Sequence, residues 1–362
     1  MFTRFHRRWI TSIIPILVVI VLIGLYLIFY FQAQHESSPH PSETVSNEGW
    51  YAIYFTDPTS PSASSLRGGP DAALAEAIDS ARYSVDVAIY RLDLWSIRDA
   101  LIRAHMRGVR VRVVTDSDHE DEAEIVDLRG VGILVIGDQR EPLMHHKFIV
   151  IDGVEVWTGS MNYTVSGAYR NNNNLIRIRS SRVGQDYTRE FEEMFLEDRF
   201  GALSETDTPY PVLTIDGIQV EVYFSPDDGV EDRIVDVLRG AEESIDFMVY
   251  TFTSDALAEV ILERAKGGVD VRGVIEKDQA SNPGSDYERL RQAGLDVRLD
   301  SNPRNMHHKV IIIDGSIVIT GSFNFSRSAE EHNDENILIL YDVGVSQEYL
   351  LEFKRIFEIA SP

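Results

Sequence analysis

The stretch MHHKVIIIDGSIVITGSFNFS occupies residues 306 to 326, and MHHKFIVIDGVEVWTGSMNYT occupies residues 144 to 164. The two copies lie about 160 residues apart, far more than the roughly 20 to 50 residues that separate the repeats of solenoids and propellers. The repeat therefore predicts two copies of a whole domain.

The two halves of the chain also share one order of predicted elements. The strand-like sequences SVDVAIY at 84–90 and SIDFMVY at 244–250 match, and each is followed by a helical sequence that ends in a Gly turn. Within the repeats, Asp152 and Asp314 each precede a glycine, a strong signal for a β-hairpin. Helices that alternate with buried strands indicate a sheet covered on both faces. The sequence thus predicts duplicated α/β sandwich domains.

Two polar breaks set the predicted domain boundaries. Residues 32–48 lack apolar periodicity and predict a flexible tether, while residues 204–217 separate the two halves. The predicted organisation is a basic N-terminus at 1–9, a transmembrane anchor at 10–31, a linker at 32–48, a first domain at 49–203, a linker at 204–217 and a second domain at 218–362.

The predicted anchor is an uncharged stretch of 22 residues from Ile10 to Phe31. As a helix it spans about 33 Å, enough to cross a bilayer. A cleaved signal peptide, the alternative, has an apolar region of about 7 to 15 residues and ends at small residues, whereas this run ends in Tyr-Phe-Gln-Ala-Gln. Basic residues precede this stretch, and basic residues next to a transmembrane helix favour the cytoplasmic side of the membrane. We expect a single-pass protein of the cell membrane with residues 33–362 on the extracytoplasmic side.

Charge and cysteine content limit the function classes. The 34 basic and 58 acidic residues give a formal net charge of −24. Such a surface repels a phosphate backbone and disfavours non-specific nucleic-acid binding, without excluding a local basic cleft. The chain has no Cys, so disulfides are excluded and cysteine usage does not indicate the compartment.

Both repeats fit the pattern His-x-Lys-x4-Asp-x6-Gly-Ser-x-Asn. Residues at i and i+2 of a strand face the same side, so His and Lys project together while His146 or His308 faces the other side. The first copy supplies His145, Lys147, Asp152, Gly159, Ser160 and Asn162, and the second supplies His307, Lys309, Asp314, Gly321, Ser322 and Asn324.

These residue types suit a phosphate group. Lys supplies charge, Ser and Asn supply hydrogen bonds, and His acts as nucleophile or as acid and base. Cleavage of a phosphodiester through a covalent intermediate needs one neutral His to attack phosphorus and one protonated His to protonate the leaving oxygen. One copy holds half of this mechanism, so we expect the halves to face each other.

The two repeats resemble the paired HKD motifs of the phospholipase D superfamily, and the resemblance covers about residues 50 to 360. It implies a pseudo-two-fold pair of α/β/α domains, one active site at their interface, a phosphohistidine intermediate and no metal or other cofactor. It implies that His145 is the nucleophile and His307 the general acid. It also implies that Asp152 and Asp314 hold the hairpin turns and that the phosphate is bound by Lys147, Lys309, Asn162 and Asn324.

The copies differ in one informative position. The superfamily often has a Glu thirteen residues after the motif Ser, and the second half has Glu335 there, whereas the first half has Asn173. A carboxylate on the second ring nitrogen orients an imidazole and makes it more basic, whereas an amide orients it without this increase. We hypothesise that Glu335 orients His145 and that Asn173 lies near His307.

Three other features allow two interpretations each. The acidic run from Asp116 to Glu124 is interpreted as a solvated loop in preference to a metal site, because its spacing fits no calcium loop. Tyr90 and Tyr250 end matched strands, and they either line the cleft or are ordinary strand ends. For each arginine that flanks the motifs, solvated surface is favoured over binding of an additional phosphate: Arg170, Arg304 and Arg327.

Four functions remain open on the sequence. A phospholipid hydrolase is favoured, because the tether holds the domains near a phospholipid membrane. The alternatives are a metal-independent nuclease, which the acidic charge disfavours, a phosphatidyl transferase of the cardiolipin synthase kind, and a non-enzymatic scaffold, which the intact motifs disfavour. We expect a monomer, because one chain carries both half-sites.

Overall fold

The computed structural model describes residues 49–361. The predicted anchor at 10–31 and the tether at 32–48 lie outside the described residues. Across residues 49–361, the helices are too short or too polar to qualify as membrane spans.

The first half forms a seven-stranded mixed sheet with the order β1-β7-β6-β5-β2-β3-β4. The strands β2, β3 and β4 run parallel, and the other neighbours are antiparallel. Its strands are β1 (Tyr51–Phe55), β2 (Ser84–Ile89), β3 (Arg110–Thr115), β4 (Leu134–Gly137), β5 (Lys147–Ile151), β6 (Glu155–Gly159) and β7 (Asn174–Arg179). Its helices are α1 (Pro61–Ser65), α2 (Pro70–Ser80), α3 (Trp95–Met106), α4 (Ala123–Gly130), α5 (Val165–Tyr169) and α6 (Ser181–Glu197).

The second half repeats this order in an eight-stranded sheet, β12-β11-β10-β13-β14-β15-β9-β8. Its strands are β8 (Val212–Ile215), β9 (Ile218–Ser225), β10 (Ser244–Val249), β11 (Asp270–Ile275), β12 (Asp296–Leu299), β13 (Lys309–Ile313), β14 (Ile317–Gly321) and β15 (Glu335–Leu340). Its helices are α7 (Val230–Arg239), α8 (Asp255–Lys266), α9 (Lys277–Ala280), α10 (Tyr287–Gln292), α11 (Arg327–Glu331) and α12 (Val343–Ile359). The predicted α/β class with duplicated domains is therefore confirmed.

The central strands are buried on both faces, which explains their continuous apolar sequence. In β5, Phe148 and Val150 face a core shared by both domains, whereas Ile149 and Ile151 face the helices on the outer side of the first sheet. The long helices α6 and α12 contribute to the shared core with one apolar stripe each. The two sheets therefore enclose one shared core that holds the domains together, and each sheet also packs a separate core against the helices on its outer side.

The stretch predicted as a linker, 204–217, is not irregular throughout. Residues Val212–Ile215 alternate between exposed and buried and pair with β9. Asp216 and Gly217 have φ angles of 51° and 83°, as a two-residue hairpin turn requires. The Asp-Gly pair signals this hairpin in the sequence, and the interpretation of 204–217 as a linker overlooked it.

The glycines of the repeated motif are required by the backbone. Gly159 and Gly321 have φ angles of 144° and 154°. A Cβ at Gly159 would lie 2.5 Å from the carbonyl oxygen of Asn174, and one at Gly321 would lie 2.1 Å from that of Asn336. No larger residue fits at these two positions, directly before the motif serines.

Candidate active site

Backbone pairing between the domains brings the two motifs together. The N–H of His145 donates to the carbonyl of Asp334 at 3.0 Å, and the N–H of His307 donates to the carbonyl of Asn172 at 2.8 Å. Each contact is the counterpart of the other with the domains exchanged, as an approximate two-fold axis requires. The chain at the start of each motif thus pairs with the residues directly before β7 or β15 in the opposite domain.

The two motif histidines have different partners across this interface. His145 Nδ1 lies 2.7 Å from Glu335 Oε2. His307 Nδ1 lies 3.0 Å from Asn173 Oδ1 and 3.1 Å from the carbonyl oxygen of Ser160. Each histidine thus contacts the residue with which the sequence hypothesis paired it. The carboxylate lies at His145 and the amide at His307.

The hydrogen-bond partners determine the histidine tautomers. Asn173 Nδ2 donates to the carbonyl of Gly167 at 3.0 Å, so its Oδ1 accepts from His307. His307 Nδ1 therefore carries hydrogen, and Lys309 Nζ lies 3.3 Å from its Nε2. At His145, Nδ1–H donates to Glu335, which leaves Nε2 unprotonated in the neutral ring. Both histidines thus direct Nε2, the atom needed for chemistry, away from their orienting partners.

Two buried lysines supply the positive charge of the site. Lys147 Nζ donates to the carbonyl of His145 at 2.7 Å, and Lys309 Nζ donates to the carbonyl of His307 at 3.2 Å. The ammonium of Lys147 lies 5.3 Å from the centroid of the Tyr90 ring, and that of Lys309 lies 5.1 Å from the centroid of the Tyr250 ring. Such cation–π contacts stabilise a desolvated ammonium.

The same tyrosines contact the histidines. The ring centroids of Tyr90 and His145 are 5.0 Å apart, and those of Tyr250 and His307 are 4.6 Å apart. Of the two interpretations left open for these strand ends, the structure favours the one in which they line the cleft.

Burial and the lysine charges control protonation in the site. Burial, followed by the charges of Lys147 and Lys309, lowers the pKa of both His145 and His307 well below the ordinary value. Burial raises the pKa of Glu335 to about 7 and lowers the pKa of Lys309 to about 7. An anion bound between the lysines would oppose the desolvation of their charged forms. Burial and the lysine charges thus favour neutral histidines, and the lysine pair is suited to a phosphate.

The hydroxyl groups of the motif serines form hydrogen bonds within their own domains. Ser160 Oγ donates to Asn173 Oδ1 at 2.9 Å and accepts from the N–H of Asn174 at 3.0 Å. Ser322 Oγ accepts from the N–H of Asn336 at 3.0 Å and from Asn336 Nδ2 at 3.3 Å. A hydroxyl has a single hydrogen to donate, and Ser160 donates its hydrogen to Asn173. Ser160 therefore positions Asn173, the residue that contacts His307.

The motif asparagines differ from the serines in this respect. Asn162 and Asn324 are partly exposed, and within the described residues their buried Oδ1 atoms have no hydrogen-bond partner. The Nδ2 group of an amide donates hydrogen bonds, so through Nδ2 each of these side chains is a candidate ligand for phosphate oxygens.

The motif aspartates are bound by backbone. Asp152 accepts hydrogen bonds from the N–H groups of Arg82, Tyr83 and Ser84, the residues that lead into β2. Asp314 accepts the matching bonds at the start of β10 from Glu242, Glu243 and Ser244. Both carboxylates tie the hairpin to a neighbouring strand.

His146 and His308 lie on the opposite side of their strands and connect the domains. His146 Nε2 lies 2.8 Å from Glu190, and its Nδ1 lies 3.2 Å from the amide of Asn336. His308 makes the matching contacts with Glu352 at 3.1 Å and Asn174 at 3.2 Å. Asn174 and Asn336 were not among the predicted site residues, although each directly follows Asn173 or Glu335 in the sequence.

The acidic run at 116–124 is not a solvated loop throughout. Asp116 is buried, and its carboxylate accepts from the N–H of Met144 at 3.1 Å, directly before His145. Glu276 makes the matching bond to the N–H of Met306 at 2.6 Å. Both carboxylates follow a parallel strand, β3 or β11, and this common position is the signal that the sequence analysis overlooked. They hold the loop that carries each motif histidine.

Two facing clusters of His, Lys and Asn, held by duplicated α/β domains, define a class of phosphodiester-processing proteins. The family model described as "Cardiolipin synthase, PLD-like domain" matches residues 74–195 and 234–357. The chain belongs to this family of the phospholipase D superfamily.

Individual relatives have names that agree with the function predicted from the sequence. A mitochondrial cardiolipin hydrolase of Chlamydomonas reinhardtii is 39% identical over 127 residues, which cover 35% of this chain and 57% of that protein. A phospholipase D of Rickettsia prowazekii is 34% identical over 141 residues, which cover 39% of this chain and 69% of that protein. Each match is shorter than the two domains together.

A solved structure supports the fold. The crystal structure of a phosphatidylserine synthase of Haemophilus influenzae aligns with a TM-score of 0.59 at 14% identity and covers 79% of this chain and 83% of that chain. At this identity the likeness concerns the fold alone, and it extends over both domains.

Proposed function

We propose that this protein is a membrane-anchored phosphodiesterase that hydrolyses phospholipids through a phosphohistidine at His145. The observation that carries the proposal is the unequal pair of histidines, one with Glu335 and one with Asn173 at Nδ1. One imidazole is thereby suited to be the nucleophile, and the other to be the acid and base.

In the first step, His145 Nε2 attacks phosphorus and the bond from phosphorus to the leaving oxygen breaks. Glu335 accepts the hydrogen bond from Nδ1–H and stabilises the positive charge that develops on the ring. His307, protonated in the presence of the bound anion, gives the proton of Nε2 to the leaving oxygen. Lys147, Lys309, Asn162 and Asn324 bind the non-bridging oxygens.

In the second step, water attacks the phosphohistidine. The now neutral His307 Nε2 takes a proton from this water, and the bond between phosphorus and His145 breaks. The products are phosphatidic acid and the free head group, and both histidines return to their starting protonation states. An alcohol in place of water would give the transfer reaction of a phosphatidyl transferase.

A phospholipid substrate fits the chain better than a nucleic acid. Residues 10–31 are proposed as a single-pass anchor that keeps residues 33–362 on the extracytoplasmic side, within reach of lipid. The names of the relatives, cardiolipin hydrolase and phospholipase D, support the same substrate class. The net charge of −24 disfavours a polyanionic substrate.

The proposed function is tested with the full chain in mixed micelles that contain EDTA. Phosphatidylcholine, phosphatidylglycerol, cardiolipin and single-stranded DNA are offered in parallel. We expect release of phosphatidic acid from at least one lipid and no release by the His145→Asn variant. Cut DNA with intact lipid would contradict the lipid assignment, and loss of activity in EDTA would contradict the histidine mechanism without metal.

The activity is expected to follow a bell-shaped pH profile. Because burial and the two lysines lower the pKa of His145 and His307, the maximum of kcat/KM should lie below pH 6.5. A lowered pKa means that His307 loses its proton at lower pH, so the alkaline limb moves to lower pH. A bound phosphodiester anion raises the pKa of His307. The alkaline limb of the kcat profile should therefore lie at least about one pH unit above the alkaline limb of the kcat/KM profile. The check is a series of initial rates from pH 5 to 9. If neither kcat nor kcat/KM depended on pH, the proposed roles of His145 and His307 would be contradicted.

A further inference from the structure

A pocket of about 650 Å³ lies where the two domains meet beside the motifs. The first domain contributes Arg170 to its lining, and the second contributes Asn302 and Arg304. The remaining lining consists of Pro, Ala, Tyr, Ser and Thr residues, and none of the described lining residues carries a carboxylate. In a chain with 58 acidic residues, this pocket is a local exception. We refer to it as the arginine pocket.

Both arginines of the pocket are exposed, and in residues 49–361 neither forms an ion pair with a carboxylate. Arg327, the third arginine that flanks the motifs, differs, because it pairs with Glu331 at 2.8 Å. The charges of Arg170 and Arg304 are thus available to a ligand, whereas that of Arg327 is partly neutralised.

The arginine pocket lies next to His307. Asn302 Nδ2 donates to Asn172 Oδ1 at 2.7 Å, and the carbonyl of Asn172 accepts from the N–H of His307 at 2.8 Å. Arg304 is three residues before His307, and Arg170 is three residues before Asn173, the partner of His307. Three residues span at most about 11 Å, so both arginines start close to the proposed general acid.

On the opposite side of the site, beside His145, the corresponding arginine is paired with carboxylates. Arg140 is the counterpart of Asn302 in the first domain. Arg140 donates a hydrogen bond to the carbonyl of His332 at 3.1 Å, and Asn302 donates the matching bond to the carbonyl of Arg170 at 3.0 Å. The guanidinium of Arg140 forms ion pairs with Asp334 and Asp138. Two carboxylates thus neutralise Arg140 beside His145, whereas Arg170 and Arg304 on the side of His307 have no ion pair within residues 49–361.

We propose that the arginine pocket binds a second phosphate group of the substrate, located in the leaving group about one glycerol unit from the phosphate that His145 attacks. This inference rests on the proposed function, in which His307 protonates the leaving group. The matching substrate is a lipid in which two phosphatidyl groups share one glycerol. A nucleic acid continues past the cleaved bond in both directions and needs cations on both sides, whereas Arg140 is neutralised.

The test compares two lipids that differ in the second phosphatidyl group. The full chain is assayed in neutral-detergent micelles with cardiolipin or phosphatidylglycerol at equal phosphate content, as wild type and as the double variant R170Q/R304Q. We expect kcat/KM for cardiolipin to fall about tenfold, because two charged contacts to phosphate are lost. The value for phosphatidylglycerol should stay within about twofold, and the matched control R327Q should change neither lipid's value.

A binding experiment tests the pocket without catalysis. By calorimetry, glycerol 1,3-bisphosphate should bind the wild-type chain about tenfold more tightly than glycerol 3-phosphate, and R170Q/R304Q should bind both equally. Three results for R170Q/R304Q would overturn the proposal. They are an equal loss of kcat/KM on both lipids, unchanged kcat/KM on cardiolipin, and a loss of activity confined to single-stranded DNA. If the wild type cleaves no lipid, the proposed function fails, while the ratio of the two binding constants still decides the role of the pocket.

Discussion

Replacement of His145 by Asn is expected to lower lipid hydrolysis by at least about 10⁴-fold, because the chain loses the proposed nucleophile of the covalent pathway. His307→Asn should also lower hydrolysis, by about 10² to 10⁴-fold, because the leaving oxygen is no longer protonated. The two variants differ in the step that each blocks, and a suitable leaving group makes this difference measurable.

Bis(p-nitrophenyl) phosphate separates the two roles, since nitrophenolate leaves without a proton. His307→Asn should release nitrophenolate in a burst close to one equivalent and then stall, because no base activates water for the second step. His145→Asn should show no burst. Rapid-mixing absorbance follows the burst, and mass spectrometry of the quenched His307→Asn variant should locate the phosphate on His145.

The matched control is His332→Asn, which changes an exposed histidine outside the cluster and should leave the wild-type burst intact. Circular dichroism confirms that each variant is folded. A burst in His145→Asn that is absent in His307→Asn would reverse the two assignments. Equal bursts in both variants would reject the covalent pathway through either histidine.

Glu335→Gln is expected to slow formation of the phosphohistidine by about 10² to 10³-fold. The amide keeps an oxygen that accepts from His145 Nδ1–H, so the ring stays oriented, but the negative charge that stabilises the imidazolium is lost. Burial raises the pKa of Glu335 to about 7, which means that burial disfavours its negative charge. Removal of this charge should therefore leave the fold stable.

The counterpart variant is Asn173→Asp, which places a carboxylate at His307 instead. It should slow formation of the intermediate much less than Glu335→Gln does, and it should move the alkaline limb of the pH profile upwards, because the new charge raises the pKa of His307. Single-turnover kinetics of both variants measure the rate at which the phosphohistidine forms. If Glu335→Gln slows this step no more than Asn173→Asp does, Glu335 is not the partner that activates His145.

Much of the site was predictable because the repeated motif is local. Alternation along a strand determines that His145 and Lys147 share a side and that His146 faces away from them. The Asp-Gly turns predict the hairpins, and the distance between the copies predicts the duplicated domains. Within one strand or turn, covalent geometry leaves few directions for a side chain, so spacing alone carries this information.

Other features depended on contacts between segments far apart in the chain. Serine is a residue type that binds phosphate, but the hydroxyl hydrogen of Ser160 is donated to Asn173 Oδ1. Asp116 belongs to an acidic run, but it accepts from the N–H of Met144. A short polar side chain has many partners within reach in a folded chain, and its sequence neighbours do not show which of them it meets.

Local spacing that occurs twice is enough to predict the family, the duplicated α/β fold and the residues of both clusters. The folded structure shows how these residues are used. It placed Glu335 at His145 and Asn173 at His307 across the domain interface, and it neutralised Arg140 while Arg170 and Arg304 remained free. Hydrogen bonds and ion pairs form between whichever groups packing brings within about 3 Å, and the packing of two domains is not encoded in the spacing of either motif.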